Sequence, residues 1–393
     1  MKLKTIKDAD VKDKTVLVRV DYNVPLENGE VMDDTRITES LPTLQYLLKS
    51  GAKIIVMSHL GRPKGDNNDE LKMDPVAKRL GELLKVNVKK VDSCIGDEVE
   101  EAVKALEAGD VLMLENTRFH DEEKKNDKNF AKKLASYADL FVSDAFGTVH
   151  RAHASTEGVT HHLDSYAGFL IEKEVEALTP LLGKVDRPFV LLLGGAKIDT
   201  KIGVIKAYIS KADKILLGGG LANTFVAAQG FNVGESLYEE DKMDLARELM
   251  LEAEKEGCEI VLPGGTIVAD EISDSVVTAD MEITGVEGNM KMLDIGVKTL
   301  YKYLDILKEA KTIIWNGPVG LYEKQPFERG TREIADALRG YKGKTYLGGG
   351  DTLSALKHFG FDRKDYTHVS TGGGAMLELL EGKELPGLKV LQA

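Results

Sequence analysis

Cysteine is scarce in this chain, and long apolar runs and an excess of basic charge are both missing. Only Cys94 and Cys258 occur, far apart in sequence. That spacing excludes a disulfide framework and a cysteine-based metal motif, and it suits a reducing cytoplasm. No apolar stretch approaches the ~18 residues that a membrane-crossing helix needs. The opening MKLKTIKDAD is basic, but no apolar h-region follows it, so no signal peptide is expected. Lys and Arg number 52 against 65 Asp and Glu, a net charge of −13. A binder of nucleic acid wants a basic face, so no nucleic-acid partner is expected, although local basic pockets remain open. Short-period repeats and low-complexity tracts are absent.

Several catalytic fingerprints are missing too. There is no G-x-x-x-x-G-K-[ST], no G-x-G-x-x-G with a following acidic residue and no G-x-S-x-G. The protein-kinase motif set is also absent. These gaps argue against a usual P-loop enzyme and weaken a nicotinamide-dependent oxidoreductase, which alternation of helix and strand alone would suggest.

What is present is ordinary in bulk and unusual in placement. The 393 residues suggest two domains, and 42% hydrophobic content can fill a core in each. Short apolar runs alternate with amphipathic segments. In the first half they are TVLVRV (15–20), KIIVMS (53–58), VLMLEN (111–116) and LFVSDA (140–145). In the second half they are FVLLL (189–193), KILLG (214–218), EIVLP (259–263), TIIWN (312–316), TYL (345–347) and THVS (367–370). Apolar runs without strict alternation, separated by helical patterns, read as buried parallel strands of an α/β fold. The segment 167–188 has Leu170, Ile171, Val175, Leu178, Leu181 and Leu182 near helical spacing, and Gly183 and Pro188 punctuate it. It reads as a helix joining two domains. A surface helix within one large domain is the plainer alternative.

Nine polar or glycine-rich clusters fall at the carboxyl ends of these strands. They are DYNVP, SHLGRP, ENTRFH and DAFGTVHRAH in the first half. In the second half they are GGAKIDTK, GGGLANTF, NGPVGLYE, GGGDT and STGGGA. Open α/β sheets bind ligands at that edge. The first-half clusters, with Arg36, His59, Arg62, Arg118, His150 and Arg151, suit a small anionic substrate. The second-half clusters supply glycines, Lys197, Lys201, Asp351 and Thr352. Glycines let backbone N–H groups approach phosphate at helix starts, so this half reads as a nucleotide site. Each piece alone has a plainer reading: a glycine triplet is a tight turn, Asp351 an N-cap, an arginine a solvated side chain. The functional reading rests on their joint placement.

VLVRVDYNVP (16–25) resembles the N-terminal signature of the phosphoglycerate kinase family. SHLGRP, LENTRFH, SDAFGTVHRAHAST, LGGAKIDTKI, GGGLANTF, WNGPVGLYE, GGGDT and HVSTGGGA resemble that family's further motifs, in its order. The resemblance covers essentially the whole chain. It implies two Rossmann-like three-layer domains whose parallel sheets face a cleft, in a cytoplasmic monomer. The domains are expected at 1–170 and 188–379, with an interdomain helix at 171–187 and a tail, 380–393, returning to the first domain. It implies reversible phosphoryl transfer between 1,3-bisphosphoglycerate with ADP and 3-phosphoglycerate with ATP, with Mg²⁺ and domain closure. Carried over by motif, Asp21, Asn23, Arg36, His59, Arg62, Arg118 and Arg151 fall on substrate positions. Lys201, Glu323, Gly350, Asp351 and Thr352 fall on nucleotide positions, with Asp351 also the Mg²⁺ position. Arg36, Lys197, Gly372 and Gly373 are expected to face the moving phosphoryl. The chain departs from the family pattern at Gly265, Met292, Val297 and Met376. Of these, Met292 bears on the adenine pocket. A non-catalytic nucleotide-binding protein on the same fold would be marked by loss of Arg36, Lys197 or Asp351, and all three are present.

Overall fold

The computed structural model describes residues 1–63 and 69–393. Its contacts divide into two units, Met1–Thr179 with Glu384–Ala393, and Pro180–Lys383. The first unit holds a six-stranded sheet. Its strands are β1 (Thr15–Val20), β2 (Lys53–Met57), β3 (Val88–Lys90), β4 (Val111–Met113), β5 (Leu140–Asp144) and β6 (Asp164–Ala167), in the order β3-β4-β2-β1-β5-β6. Every pairing is parallel. Val16, Val18 and Val20 enter one apolar cluster, while Leu17 enters the cluster on the other face. Burial on both faces explains why β1 reads as a continuous apolar run. Truncating such a residue, as in Leu17→Ala, should cost about 2–5 kcal/mol.

The expected helix over 171–187 is shorter here. An α-helix spans Phe169–Leu178, and a 3-10 turn, Thr179–Leu182, follows. Pro180 has no N–H to continue the ladder, and its ring would crowd the carbonyl four residues back. The division between units falls at this point, after Thr179. At the other end of the chain, Leu380 still belongs to the helix Gly373–Leu380 of the second unit, and Glu384–Ala393 belongs to the first. Gly387 N–H donates to Val149 O (2.8 Å), Lys4 N–H to Leu391 O (2.9 Å) and Ala393 N–H to Lys2 O (3.0 Å). Leu385, Leu388 and Leu391 are buried beside these bonds.

The second unit has its own six-stranded parallel sheet. Its strands are β7 (Phe189–Leu193), β8 (Lys214–Leu217), β9 (Glu259–Val261), β13 (Thr312–Asn316), β14 (Lys344–Gly348) and β15 (His368–Val369), ordered β9-β8-β7-β13-β14-β15. Between β9 and β13 lie β10 (Gly265–Ala269), β11 (Ala279–Glu282) and β12 (Lys291–Ile295). These three form a separate antiparallel sheet ordered β11-β10-β12. The sequence reading did not anticipate it. β11 is largely exposed, and its charged residues hide any two-residue period. Beneath this sheet Val226, Val268, Ile283 and Met292 share a small apolar cluster. Because all strands of each large sheet run the same way, the clusters that follow them share one edge.

Candidate active site

In the first unit, Asp21 and Asn23 leave β1 and His59 leaves β2. Arg36 opens the helix Thr35–Lys49, and Arg118 sits in the 3-10 turn Thr117–Phe119 after β4. Asp21 is buried and pairs with Arg36. Burial alone would raise its pKa, yet Arg36 and then His59 and Arg19 outweigh that and hold it below the usual carboxylate value. The Asn23 side-chain oxygen accepts the Gly61 N–H at 2.8 Å, and Arg118 donates to Gly61 O at 2.7 Å. These two bonds fasten the loop that carries His59 and Arg62. Arg62 and Arg151 are exposed, and Arg151 Nε donates to His150 Nε2 at 3.1 Å.

The electrostatics point to an anion. Burial, and then the neighbouring charges of Arg151 and Arg19, together lower the Arg118 guanidinium to about 10, against the opposing pull of Asp21 and Glu123. Cations crowded together without enough counter-charge are relieved by a bound anion. Arg36 faces the same site with its charge shared with Asp21.

Two residues the sequence reading passed over hold this site together. The Asn116 side-chain oxygen accepts from Leu60 N–H and Arg118 N–H, both at 3.1 Å. Its amide donates to Leu60 O (2.7 Å) and Leu71 O (3.0 Å). One buried asparagine thus clamps two loops. The second is Arg19, fully buried in β1. It was visible in the sequence as the one charge inside TVLVRV, a costly place for a cation without a partner.

In the second unit a cavity of about 600 Å³ lies along the sheet edge. Gly195, Gly219, Leu237, Met292, Glu323 and Asp351 are among its walls. Lys201 is buried, and its ammonium donates to the Asn316 side-chain oxygen at the end of β13. Burial pulls its pKa down to about 8, with Asp351 opposing. The Asn316 amide nitrogen is buried with no hydrogen-bond partner among the described residues. Thr352 Oγ1 accepts the Gly317 N–H at 2.8 Å, so its hydroxyl joins two glycine loops. Gly350 opens the helix Gly350–His358, and Asp351 lies in its first turn. Lys197 is exposed in the loop between β7 and the helix Ile202–Ile209.

Gly372 caps the helix Gly373–Leu380, and its own N–H donates to Ser370 Oγ at 3.1 Å. Of the four amides that the helix start leaves without an intrahelical acceptor, those of Gly373, Gly374 and Ala375 follow the cap. Gly373 approaches the Gly349 backbone so closely that an added Cβ would meet Gly349 Cα at 2.7 Å. Gly349 itself has φ +102°, a conformation for which glycine is suited.

The departures from the family pattern acquire physical accounts. Met376 is buried and its sulfur fills the space over Gly348. Val297, where the family pattern usually has proline, donates its N–H to Asp280 at 3.2 Å, a bond that proline could not make. Gly265 N–H donates to Thr299 Oγ1 at 3.0 Å, and a Cβ there would crowd Met281 O at 3.2 Å. Met292 turns into the small apolar cluster while its N–H donates to Ser236 Oγ at 2.8 Å. It thus belongs both to that cluster and to the cavity wall.

A family model described as phosphoglycerate kinase matches residues 6–383. The chain belongs to the phosphoglycerate kinase family. Among curated relatives, a phosphoglycerate kinase of Dictyoglomus turgidum is 52% identical over 388 residues, covering 98% of each chain. One of Moorella thermoacetica is 50% identical over 387 residues, again covering 98% of each. The solved phosphoglycerate kinase of Coxiella burnetii superposes with a TM-score of 0.87 at 38% identity, covering 99% of this chain and 98% of that one. That of Pyrococcus horikoshii OT3 gives 0.88 at 33%, with the same coverage.

Proposed function

We propose that this chain transfers a phosphoryl group reversibly between 1,3-bisphosphoglycerate and ADP, giving 3-phosphoglycerate and ATP. The supporting observation is a division of labour within one chain. An arginine-rich anion site lies in one unit, and the other holds an apolar cavity walled by glycine loops and Asp351, together with the buried Lys201 bonded to Asn316. In the ATP-forming direction a terminal oxygen of ADP attacks the acyl phosphorus. A new P–O bond forms, the acyl C–O–P link breaks at phosphorus, and the carboxylate leaves. In reverse the nucleophile is a carboxylate, ionised near neutral pH, so no catalytic base is required. Position and charge neutralisation carry the reaction.

Arg36 would bridge the substrate carboxyl oxygens and the moving group. Lys197 would follow that group. The amides of Gly373 and Gly374, with Gly372 as the cap, would meet it from a helix N-terminus. Asp21 and Asn23 hold the substrate loops, and His59, Arg62, Arg118 and Arg151 bind the substrate anion. Lys201 contacts nucleotide phosphate, with Glu323, Gly350 and Thr352 shaping that end. No cluster of three or more metal-binding side chains occurs among the described residues. Asp351 as a single carboxylate nevertheless fits Mg²⁺, which is commonly held by one or two carboxylates together with substrate phosphates. Bound there with nucleotide, Mg²⁺ supplies neutralisation of phosphate charge.

The substrate and nucleotide sets lie on different units, so transfer needs a closing motion. Solution scattering should register compaction with both ligands bound, and no compaction would count against closure. No helix among the described residues is long and apolar enough to cross a membrane. A reducing, cytoplasmic setting agrees with two buried, unpaired cysteines, and the monomer is checked by light scattering after size-exclusion. The deciding experiment is a coupled assay of ATP consumption with 3-phosphoglycerate and Mg²⁺. Turnover no greater than in the control without 3-phosphoglycerate would overturn the reading.

A further inference from the structure

We propose that Arg19 is a positioning residue that fixes His59 as its Nε2–H tautomer, so that the ring offers an uncharged, permanent hydrogen-bond donor to the anion. The argument starts from what Arg19 can do. A guanidinium has five N–H donors and no acceptor. Arg19 is fully buried, and each of its nitrogens has an assigned partner. Nε donates to Ser155 Oγ at 2.8 Å, Nη1 donates to Val20 O, and Nη2 lies 3.1 Å from His59 Nδ1. A donor at that distance requires a lone pair on Nδ1. The neutral imidazole must then carry its proton on Nε2. The rival partner is Asp21 Oδ1, which would favour a proton on Nδ1, but it stands 4.0 Å away, beyond hydrogen-bonding distance.

The guanidinium cannot easily swing aside. The Ser155 hydroxyl donates to Glu123 Oε1 at 2.5 Å, and Ser155 N–H donates to Glu123 Oε2 at 2.9 Å. Glu123 is fully buried, so its charge is the compensation for Arg19 at one remove. The frame thus runs Glu123, Ser155, Arg19, His59, and its members come from four separated stretches of the first unit. His59 Nε2 makes no hydrogen bond among the described residues. Burial disfavours a charged ring, Asp21 opposes that effect, and Arg19, Arg118 and Arg36 reinforce it, so the pKa of His59 falls well below its ordinary value. A second proton on His59 would set one cation against three arginines.

The role in substrate binding rests on the function proposed above, whereas the tautomer does not. The first test is ¹⁵N NMR of the histidine-labelled full chain without ligand, with the His59 signals assigned by their loss in His59→Gln. The expected spectrum has Nδ1 unprotonated and Nε2 protonated, unchanged from pH 6 to pH 8. A protonated Nδ1, or an imidazolium in that range, would overturn the proposal. In Arg19→Met the Nδ1 lone pair loses its donor, so the tautomer preference should weaken and the His59 pKa should rise, while burial, Arg118 and Arg36 still hold it below its ordinary value. An unchanged tautomer and titration in a folded variant would overturn it equally. Should that variant fail to fold, the wild-type spectrum still decides. The second test compares His59→Gln, whose amide can donate from the Nε2 position, with His59→Asn, whose amide reaches only the Nδ1 position. The KM for 3-phosphoglycerate should be roughly 10-fold higher in the Asn variant, the scale of one lost hydrogen bond to a charged group. Equal KM values would remove the donor role. A wild-type chain without kinase activity would sink the functional reading and leave the tautomer measurement standing.

Discussion

The first unit presents its anion-facing groups as long side chains, several of them braced by other side chains. Arg36 leans on Asp21, and Asn116 fixes the backbone that carries Arg118. The second unit presents backbone amides at glycine loops, with Lys201 as a buried cation and Asp351 as an exposed carboxylate. The two designs should fail differently. A side-chain site is weakened by truncation, whereas a backbone site tolerates truncation poorly only at its few charges and is blocked by added bulk. The chemistry fits the division. A small, highly charged substrate rewards many guanidinium contacts. A nucleotide offers an apolar base and a phosphate chain that a helix N-terminus can meet.

The strongest way to break the comparison is Arg36→Ala. We expect kcat to fall by roughly 10²–10³, the scale of a lost transition-state donor, with the fold unchanged by circular dichroism. A near-normal kcat would mean that the side-chain site does not serve the chemical step. Next is Gly373→Ala in the backbone site. The added Cβ meets Gly349 Cα at 2.7 Å, and displacing these amides at an overpacking cost of about 1–3 kcal/mol should lower kcat/KM by roughly 5- to 150-fold. Steady-state kinetics with full activity would show that the two glycine loops yield more easily than their contact implies.

A smaller effect sharpens the role of Lys201. Its pKa near 8 in the unliganded protein means that charge is lost as pH rises through that value. The KM for ADP should therefore rise severalfold between about pH 7 and pH 9. Lys201→Arg should flatten that profile, because a guanidinium stays charged. A wild-type profile without a break in this range would remove Lys201 from phosphate binding.

The prediction with the least bearing on catalysis concerns a feature the units share. Asp144 closes β5 and accepts Leu170 N–H at 2.9 Å; Asp294 in β12 accepts Ile295 N–H at 2.8 Å and Gly330 N–H at 2.7 Å. Burial raises each carboxyl to about 7. The folded protein then holds these protons over a range where the unfolded chain, titrating near 4, has lost them. Their contribution to stability is full below about pH 4 and is lost as pH rises toward 7. At about 1.4 kcal/mol per pKa unit, each accounts for at most ~4 kcal/mol. Asp144→Asn and Asp294→Asn keep an acceptor oxygen without the charge. Urea unfolding should show each variant gaining on the wild type from pH 5 to pH 8. A constant difference across that range would show that neither carboxyl titrates with folding.

Much of the architecture was legible because the central strands are buried on both faces. TVLVRV, FVLLL and TIIWN leave little choice but a parallel interior strand. The edge strands β3 and β6 were not legible, since Val88–Lys90 carries two lysines and Asp164–Ala167 is mostly exposed or half-buried. The antiparallel sheet was missed for the same reason, and its register shift between Ile267 and Val268 blurs the period further. Among site residues, those after strand ends stood out by composition. Asn116 stood among them but read only as part of a loop, because its four hydrogen bonds go to backbone atoms as far as 56 residues away.

The sequence alone determined the α/β class, the alternation of strand and helix, and the placement of arginines in one half and glycines in the other. These follow from local rules of periodicity, turn chemistry and strand order. Tertiary structure decided which charges are braced and by what. Arg19 and Ser155 are 136 residues apart, and Lys201 and Asn316 are 115 apart, yet each pair is in hydrogen-bond contact. Such partners are chosen by where the sheet brings strand ends together. Buried charge is expensive without a partner, so that geometry also sets which groups stay ionised.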